Sequence, residues 1–186
     1  TNLGSGGSTG TGPGGGAVIL VVGGTSTVNG VISVVASNGG EYTGSGGSVF
    51  LITAALTGNG TIRAHGGDVT GGVPRGSGGG GRIAVILTNS SDFGNVKFEA
   101  YVGNGAPVAQ AGAAGTVYLQ TPSQGPGGGM LLMDASNRVS TWATTLISSN
   151  VTNTIVGTVV ITNKAVFGID TNQSLTVNGS WLNYAT

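Results

Sequence analysis

The residue types best suited to catalysis lie together in one short segment, Arg63-Ala64-His65-Gly66-Gly67-Asp68. Side chains two positions apart share one face of a β-strand, so Arg63 and His65 would point the same way, with Asp68 on the following loop. A polysaccharide lyase needs a base and a cation that stabilises an enolate-like intermediate. Arg63, His65 and Asp68 therefore form a candidate glycan site. A solvated strand end is the preferred interpretation, because six acidic residues in the whole chain are too few to favour paired-carboxylate hydrolysis.

The glycine-rich segment GSGGGGRIAVIL at residues 76–87 raises the possibility of a phosphate-binding loop. Such a loop ends in Gly-Lys-Ser/Thr and leads into a helix. Here Arg82 follows the glycines, and the next residues, Ile83-Ala84-Val85-Ile86-Leu87, are rich in β-branched types that favour a strand. The sequence therefore predicts no nucleotide site and no cofactor.

The sequence offers no recognisable metal site. Cysteine is absent, which excludes disulfides and thiolate ligands. Asp68, Asp92, Asp134 and Asp170 stand alone, without the repeated glycine–aspartate pattern of calcium-binding solenoids. We predict no metal, although ligands from backbone carbonyls would leave no mark on the sequence.

The composition is that of a folded chain with few charges. Glycine accounts for 39 of 186 residues, charged residues for 6% and apolar residues for 38%. Disorder usually combines low hydrophobicity with high charge, and neither holds here.

Six basic and six acidic residues leave no basic cluster for nucleic acid, and no apolar stretch approaches the length of a membrane-spanning helix. Scarce Lys and Glu with abundant Gly, Ser, Thr, Asn and Val favour an exported surface protein. A chain that begins at Thr1 indicates processing or a segment of something longer.

A motif in which glycines lead into an apolar run occurs four times. Aligning the runs on Val18, Val49, Ile83 and Val117 gives spacings of 31, 34 and 34 residues. A second element, Thr-x-Asn-Gly, occurs at residues 27–30, 57–60 and 176–179. A fixed period of this size indicates stacked supersecondary units. The glycine loops then separate successive rungs, and a site used once would not be repeated four times.

We interpret residues 1–186 as a single all-β domain. Residues 1–16 are a Gly/Ser-rich segment, residues 17–120 hold the clear repeats, residues 121–129 form a Pro/Gly loop, and residues 130–186 add further rungs and a C-terminal edge strand. The nearest approach to helical periodicity, at 139–146, is weak. Short strands joined by turns and stacked in register would form a β-solenoid with an inner column of Val, Ile and Leu.

The pattern LTGNGTI at residues 56–62, GGGGRIAV at 78–85 and GTVYL at 115–119 supports a more specific identification. It resembles the glycine-rich repeat regions of large bacterial surface proteins and adhesins over about residues 14–120, with a weaker similarity at 154–181. The resemblance implies a right-handed parallel β-helix placed outside the cell. It implies no catalytic mechanism, because such repeats share no active-site residues.

Several strands are apolar on both faces, whereas a half-exposed strand alternates apolar and polar residues. These are residues 17–22, 49–52, 83–87 and 130–133. Either the glycine loops fold back over the outer face or a neighbouring subunit covers it. Both ends of the chain also lack the charge or cap that usually protects an edge strand. We predict an assembly interface that comprises Ala17, Val18, Ile19, Leu20, Val21, Val22, Leu175, Val177, Trp181 and Leu182.

The sequence therefore predicts an extracellular, non-enzymatic structural protein. Copies would associate through open β-edges and apolar outer faces into a surface filament or an adhesin fibre. The partners would be other copies of the chain and, as a second class, glycans. The alternative is a carbohydrate-binding or polysaccharide-cleaving β-helix module. Ice binding is a third hypothesis, but the regular Thr-x-Thr array that it requires is missing.

Overall fold

The computed structural model describes residues 3–7, 12–71, 75–105, 110–138 and 143–185. These residues form an all-β fold with a short 3₁₀ helix at Pro122–Gln124 and no α-helix. The strands are β1 (Ala17–Thr27), β2 (Val31–Ser33), β3 (Ser48–Thr57), β4 (Thr61–Arg63), β5 (Arg82–Leu87), β6 (Lys97–Glu99), β7 (Thr116–Gln120), β8 (Met130–Asp134), β9 (Thr145–Ile147), β10 (Ile155–Val156), β11 (Thr158–Thr162), β12 (Phe167–Ile169), β13 (Thr176–Val177) and β14 (Trp181–Tyr184). The predicted all-β solenoid with parallel stacked strands is confirmed.

The largest sheet has seven strands in the order β1-β3-β5-β7-β8-β11-β14. Its first four strands are parallel and follow the predicted repeat. The residues aligned from the sequence stand opposite one another across these strands: Val18 faces Val49, Val49 faces Ile83, and Ile83 faces Val117. The repeat therefore predicts the register of this part of the sheet residue by residue.

A second, three-stranded parallel sheet, β2-β4-β6, forms another side of the same rungs. The first two Thr-x-Asn-Gly elements form the corners between the two sheets, and Thr27 faces Thr57 at this point. The third element belongs elsewhere, because its Thr176 faces Ile155 in the separate two-stranded sheet β10-β13.

The chain reverses its direction between β7 and β8, which pair antiparallel. The Pro/Gly loop at 121–129 makes this reversal through the 3₁₀ helix and two glycines in the left-handed region, Gly125 (φ 68°) and Gly127 (φ 73°). Strands β8, β11 and β14 are again parallel to one another. Residues 130–186 are therefore not a simple continuation of the first rungs. They form a second stack, whose strands in the large sheet run antiparallel to those of the first stack.

Each stack has its own hydrophobic core. In the first stack, Val49, Leu51, Ile83 and Val85 are at most 2% exposed, and in the second stack Met133 and Val159 are fully buried. Their strand neighbours, such as Phe50 and Ile52, face outwards and are half-buried. The strands are therefore apolar on both faces, as the sequence indicates. In β3 and β5 one face contributes to the first core, whereas β8 packs Leu132 against the first core and Met133 into the second.

We expect Ile83→Val to lower the free energy of unfolding by about 1 kcal/mol, because the side chain is 1% exposed and the lost methyl group leaves a small cavity. Ile169→Val is the matched control, since Ile169 is 42% exposed. Chemical denaturation of both variants measures the difference. Equal effects of the two substitutions would contradict the inward placement of Ile83.

The glycine segments that precede β3, β5 and β7 form a layer of their own, which we call the glycine layer. Three rungs repeat the same backbone contact, in which the amides of Gly47, Gly81 and Gly115 donate to the carbonyls of Val34, Ala64 and Ala100. A Cβ atom on Gly80 would overlap the Ala100 carbonyl oxygen and the Gly115 amide nitrogen. Glycine is therefore required here because one backbone packs directly against another.

Among the described residues, part of the outer face of the large sheet faces a segment other than the glycine loops. Residues 146–156 line a groove together with outer side chains of β5 and β7 and with Leu131 of β8, and Tyr118 and Leu131 also pack against the second core. On β1, the outer side chains of Ile19 and Val21 remain 59% and 72% exposed. The sequence is compatible with a cover by the loops or by a neighbouring subunit. The structure shows an internal cover from another segment over part of the face and none over β1.

Candidate functional site

The predicted glycan residues follow one another on the second sheet of the middle rung. Arg63 ends β4, is exposed, and donates from Nε to Ser33 Oγ on the preceding rung at 3.2 Å. Ile62 and Ala64 on either side of it are fully buried. This alternation confirms that Arg63 and His65 share the outer face.

His65 is held between two residues of the next rung. Its Nδ1 accepts a hydrogen bond from the Tyr101 amide at 3.3 Å, so Nε2 carries the proton and donates to Glu99 Oε2 at 3.1 Å. The His65 and Tyr101 rings stack with their centroids 4.8 Å apart. The His65 imidazole is therefore fixed in one tautomer by bonds between rungs.

Asp68 also forms hydrogen bonds to residues of neighbouring rungs. Its Oδ1 accepts from the Asn104 amide at 2.7 Å, and its own amide donates to Asn38 Oδ1 at 2.9 Å. The Arg138 Nη1 atom lies 3.9 Å from Asp68 Oδ1 and donates to the Val102 carbonyl at 2.6 Å. Asp68 thus ties three successive rungs together and has a cation beside it.

The structure does not bring the three predicted residues together on one reacting centre. Within the described part of the chain, Arg63 and Asp68 share neither a hydrogen bond nor an ion pair, and their side chains bond to different rungs. Glu99 and Tyr101 were not among the predicted site residues. They lie 36 positions beyond Arg63 and His65. The same spacing separates paired residues of β4 and β6, so the length of the repeat could have predicted that these side chains are neighbours.

Burial in this cluster shifts two pKa values. Burial lowers the pKa of His65 below its usual 6.5, although the hydrogen bond to Glu99 and the charge of that carboxylate raise it in part. Burial also raises the pKa of the Tyr101 phenol, helped by the negative charges of Asp134 and Glu99. The neutral forms of both rings are therefore favoured.

The lowered pKa of His65 predicts a pH-dependent stability. The unfolded chain binds a proton more tightly at this histidine, so the free energy of unfolding should fall as the pH drops from about 7.5 through and below 6.5. His65 is the only histidine in the chain, and histidine is the side chain whose ordinary pKa lies in this range. Urea unfolding at several pH values measures the slope. His65→Gln should flatten the slope across this range, and an unchanged slope in the variant would contradict the assignment.

A second candidate site is the open edge of the large sheet at β1, which pairs only with β3. The Gly16 carbonyl accepts from the Ser48 amide and so faces β3. Strand alternation then directs the backbone N–H and C=O groups of Ala17, Ile19 and Val21 to the open side. Val18 and Val22 pack inwards against the first core. Leu20, which lies between them on β1, is 36% exposed.

At the opposite end of the sheet, β14 pairs only with β11. Trp181 is 48% exposed and stacks edge-on against Phe167, and Leu182 is half-buried. The structure places Leu175 and Val177 away from this edge, packed against the second core. Of the predicted interface at this end, Trp181 and Leu182 lie on the edge strand itself.

Several functional classes find no support in the described residues. No group of three His, Asp or Glu side chains there lies close enough to hold a metal ion. No described helix has the length and hydropathy needed to cross a membrane.

No protein-family model, no curated protein and no solved structure matches the chain.

Proposed function

We propose that this chain is an extracellular structural subunit, without enzymatic activity, that self-assembles into a surface filament or an adhesin fibre. Copies associate through the open β-edges of the large sheet and the apolar outer face next to β1. The proposal rests on one observation above all: an edge strand of 11 residues, Ala17–Thr27, that has no charge and no partner among the described residues on one side.

The edge carries little of the protection that natural sheets use against uncontrolled pairing. Such edges usually have charges, prolines, bulges or a short length. β1 contains no charged residue and no proline, and its one irregularity is the register shift between Val22 and Thr25. The unpaired backbone groups and the exposed Ile19 and Val21 favour a second β-strand as the partner.

The other end of the sheet supports a head-to-tail contact. β14 contains no charged residue and presents Trp181 and Tyr184 at 48% and 59% exposure. Because the chain reverses at β7–β8, β1 and β14 run in opposite directions. Copies repeated along the stacking direction would therefore pair β14 with β1 antiparallel, and a contact of this kind that does not close gives a filament.

The polar cluster around Arg63 lends no support to the alternative of a glycan-cleaving enzyme at this position. His65 and Asp68 are each committed to hydrogen bonds between rungs. A lyase would need a base at a carbon-bound proton and a cation at the neighbouring carboxylate oxygens, and Arg63 instead bonds to Ser33. The cluster is better suited to holding the rungs in register.

Negative-stain electron microscopy, with light scattering at several protein concentrations, tests the proposal. We expect filaments or large oligomers whose fraction grows with concentration. A monomer at every concentration would overturn the proposal.

A further inference from the structure

A groove of about 760 Å³ lies between the outer face of the large sheet and residues 146–156. Its floor is formed by Arg82, Ile86, Tyr118 and Leu131. A second groove of about 240 Å³ runs beside the glycine layer and shares Arg82, Thr116 and Leu146 with the first. The larger volume falls within the range of small-ligand sites, and Arg82 stands where the two grooves meet.

Three amide side chains line the larger groove, and internal hydrogen bonds already occupy their oxygen atoms. Tyr118 accepts from the Gly129 amide, so its hydroxyl proton is directed to Gln120 Oε1 at 2.6 Å. Asn150 Oδ1 accepts from the Ser148 hydroxyl at 2.6 Å, and Asn153 Oδ1 accepts from the Ile155 amide. Each side chain is left with an NH₂ group that has no bond to any described residue. The groove therefore offers hydrogen-bond donors.

The groove also carries a positive charge, which favours the same kind of ligand as its hydrogen-bond donors. Arg82 is exposed, and its guanidinium has neither an ion pair nor a hydrogen bond with the described residues. No carboxylate is among the residues that line either groove. Asp170, which is not among the lining residues, accepts hydrogen bonds from the backbone amides of Ser149 and Thr171. The unpaired cation and the amide donors favour an anionic ligand rich in oxygen acceptors.

We propose that this groove binds an acidic polysaccharide, with a uronate carboxylate on Arg82 and sugar oxygens on Gln120, Asn150 and Asn153. The open groove lets sugar hydroxyls accept from the amides and donate to water at the same time. A peptide would bring one N–H donor for each C=O acceptor, whereas the free groups of these amides are mainly donors. This site is separate from the open β1 edge, so it does not depend on the assembly.

Binding of polygalacturonate to the full chain tests the proposal, with fully methyl-esterified polygalacturonate as a probe that has the same sugars without the charge. We expect binding to the acidic form, weakened by salt, and at least about tenfold weaker binding in Arg82→Gln. Asn153→Asp is the sharper variant, because it keeps the acceptor for the Ile155 amide and replaces the donor with a negative charge. It should reduce binding by at least about tenfold as well.

Lys97→Gln and Asn89→Asp are the matched controls, since both residues are exposed and lie outside the two grooves. They should bind as the unmodified chain does, and circular dichroism should show that all four variants fold. The absence of binding, equal binding of the esterified probe, or unchanged binding in both groove variants would overturn the proposal. Tighter binding of a poly-glutamate peptide than of polygalacturonate would replace the glycan by an acidic protein segment.

Discussion

Gly80→Ala is expected to prevent the chain from folding into its solenoid, or to destabilise it by more than about 3 kcal/mol. The added Cβ would overlap the Ala100 carbonyl oxygen, the Gly115 amide nitrogen and the Ala100 carbonyl carbon. All three atoms belong to the backbone and cannot move aside as a side-chain end would. They also form the hydrogen bond from Gly115 to Ala100 at 2.7 Å, which closes the third rung.

Gly40→Ala is the matched control for this substitution. A Cβ on Gly40 meets no atom within 4 Å, and its φ lies outside the left-handed region. It should be neutral or slightly stabilising, because alanine narrows the freedom of the unfolded chain. Circular dichroism and thermal unfolding compare the two variants. Similar melting temperatures for Gly80→Ala and the unmodified chain would show that the glycine layer is not packed backbone against backbone.

Val21→Lys is expected to abolish filament formation and leave the subunit folded. Val21 is 72% exposed on the outer face of β1, so lysine costs little in the isolated subunit. In an assembly, each contact would have to desolvate the new charge next to the apolar Ile19, and lysine is the residue that natural edge strands use against pairing. Sedimentation velocity and electron microscopy measure the loss.

Val166→Lys is the control for Val21→Lys, because Val166 is 38% exposed and lies on neither terminal strand of the large sheet. It adds the same charge and should assemble as the unmodified chain does. Filaments of normal length in Val21→Lys would place the subunit contacts away from β1. Loss of assembly in both variants would show only that net charge matters.

The sequence predicted the first stack of rungs well because its signals are local and periodic. Each glycine run precedes a strand by the same few residues, so aligning Val18, Val49, Ile83 and Val117 gives the strand register directly. The Asn-Gly corners at residues 29–30 and 59–60 lie where the two sheets meet, as their turn chemistry favours.

The reversal between β7 and β8 could not be predicted from the same signals. A Pro/Gly loop such as 121–129 ends a strand but does not specify whether the next strand pairs parallel or antiparallel. That choice depends on the packing of Met133 and Val159 into a second core. The same limitation applies to residues 146–156, whose place over the sheet follows from long-range contacts.

The candidate sites show a similar division. Strand alternation placed Arg63 and His65 on one face, but the partners of His65 come from the next rung and are distant in sequence. The interface residues of β1 divide by alternation, with Ile19 and Val21 outward and Val18 and Val22 inward. The donor character of the groove depends on the orientation of its amides, which no sequence pattern encodes.

Hydrogen–deuterium exchange of the β1 backbone amides, at low and at high protein concentration, tests the central claim most directly. The account predicts that the amides of Ile19 and Val21, which face the open side, exchange quickly in the dilute subunit and become protected on assembly. The amides of β14 should gain protection with them, and those of β5, already paired on both sides, should change little. Assembly that leaves exchange in β1 unchanged would contradict the claim that open β-edges form the subunit contact.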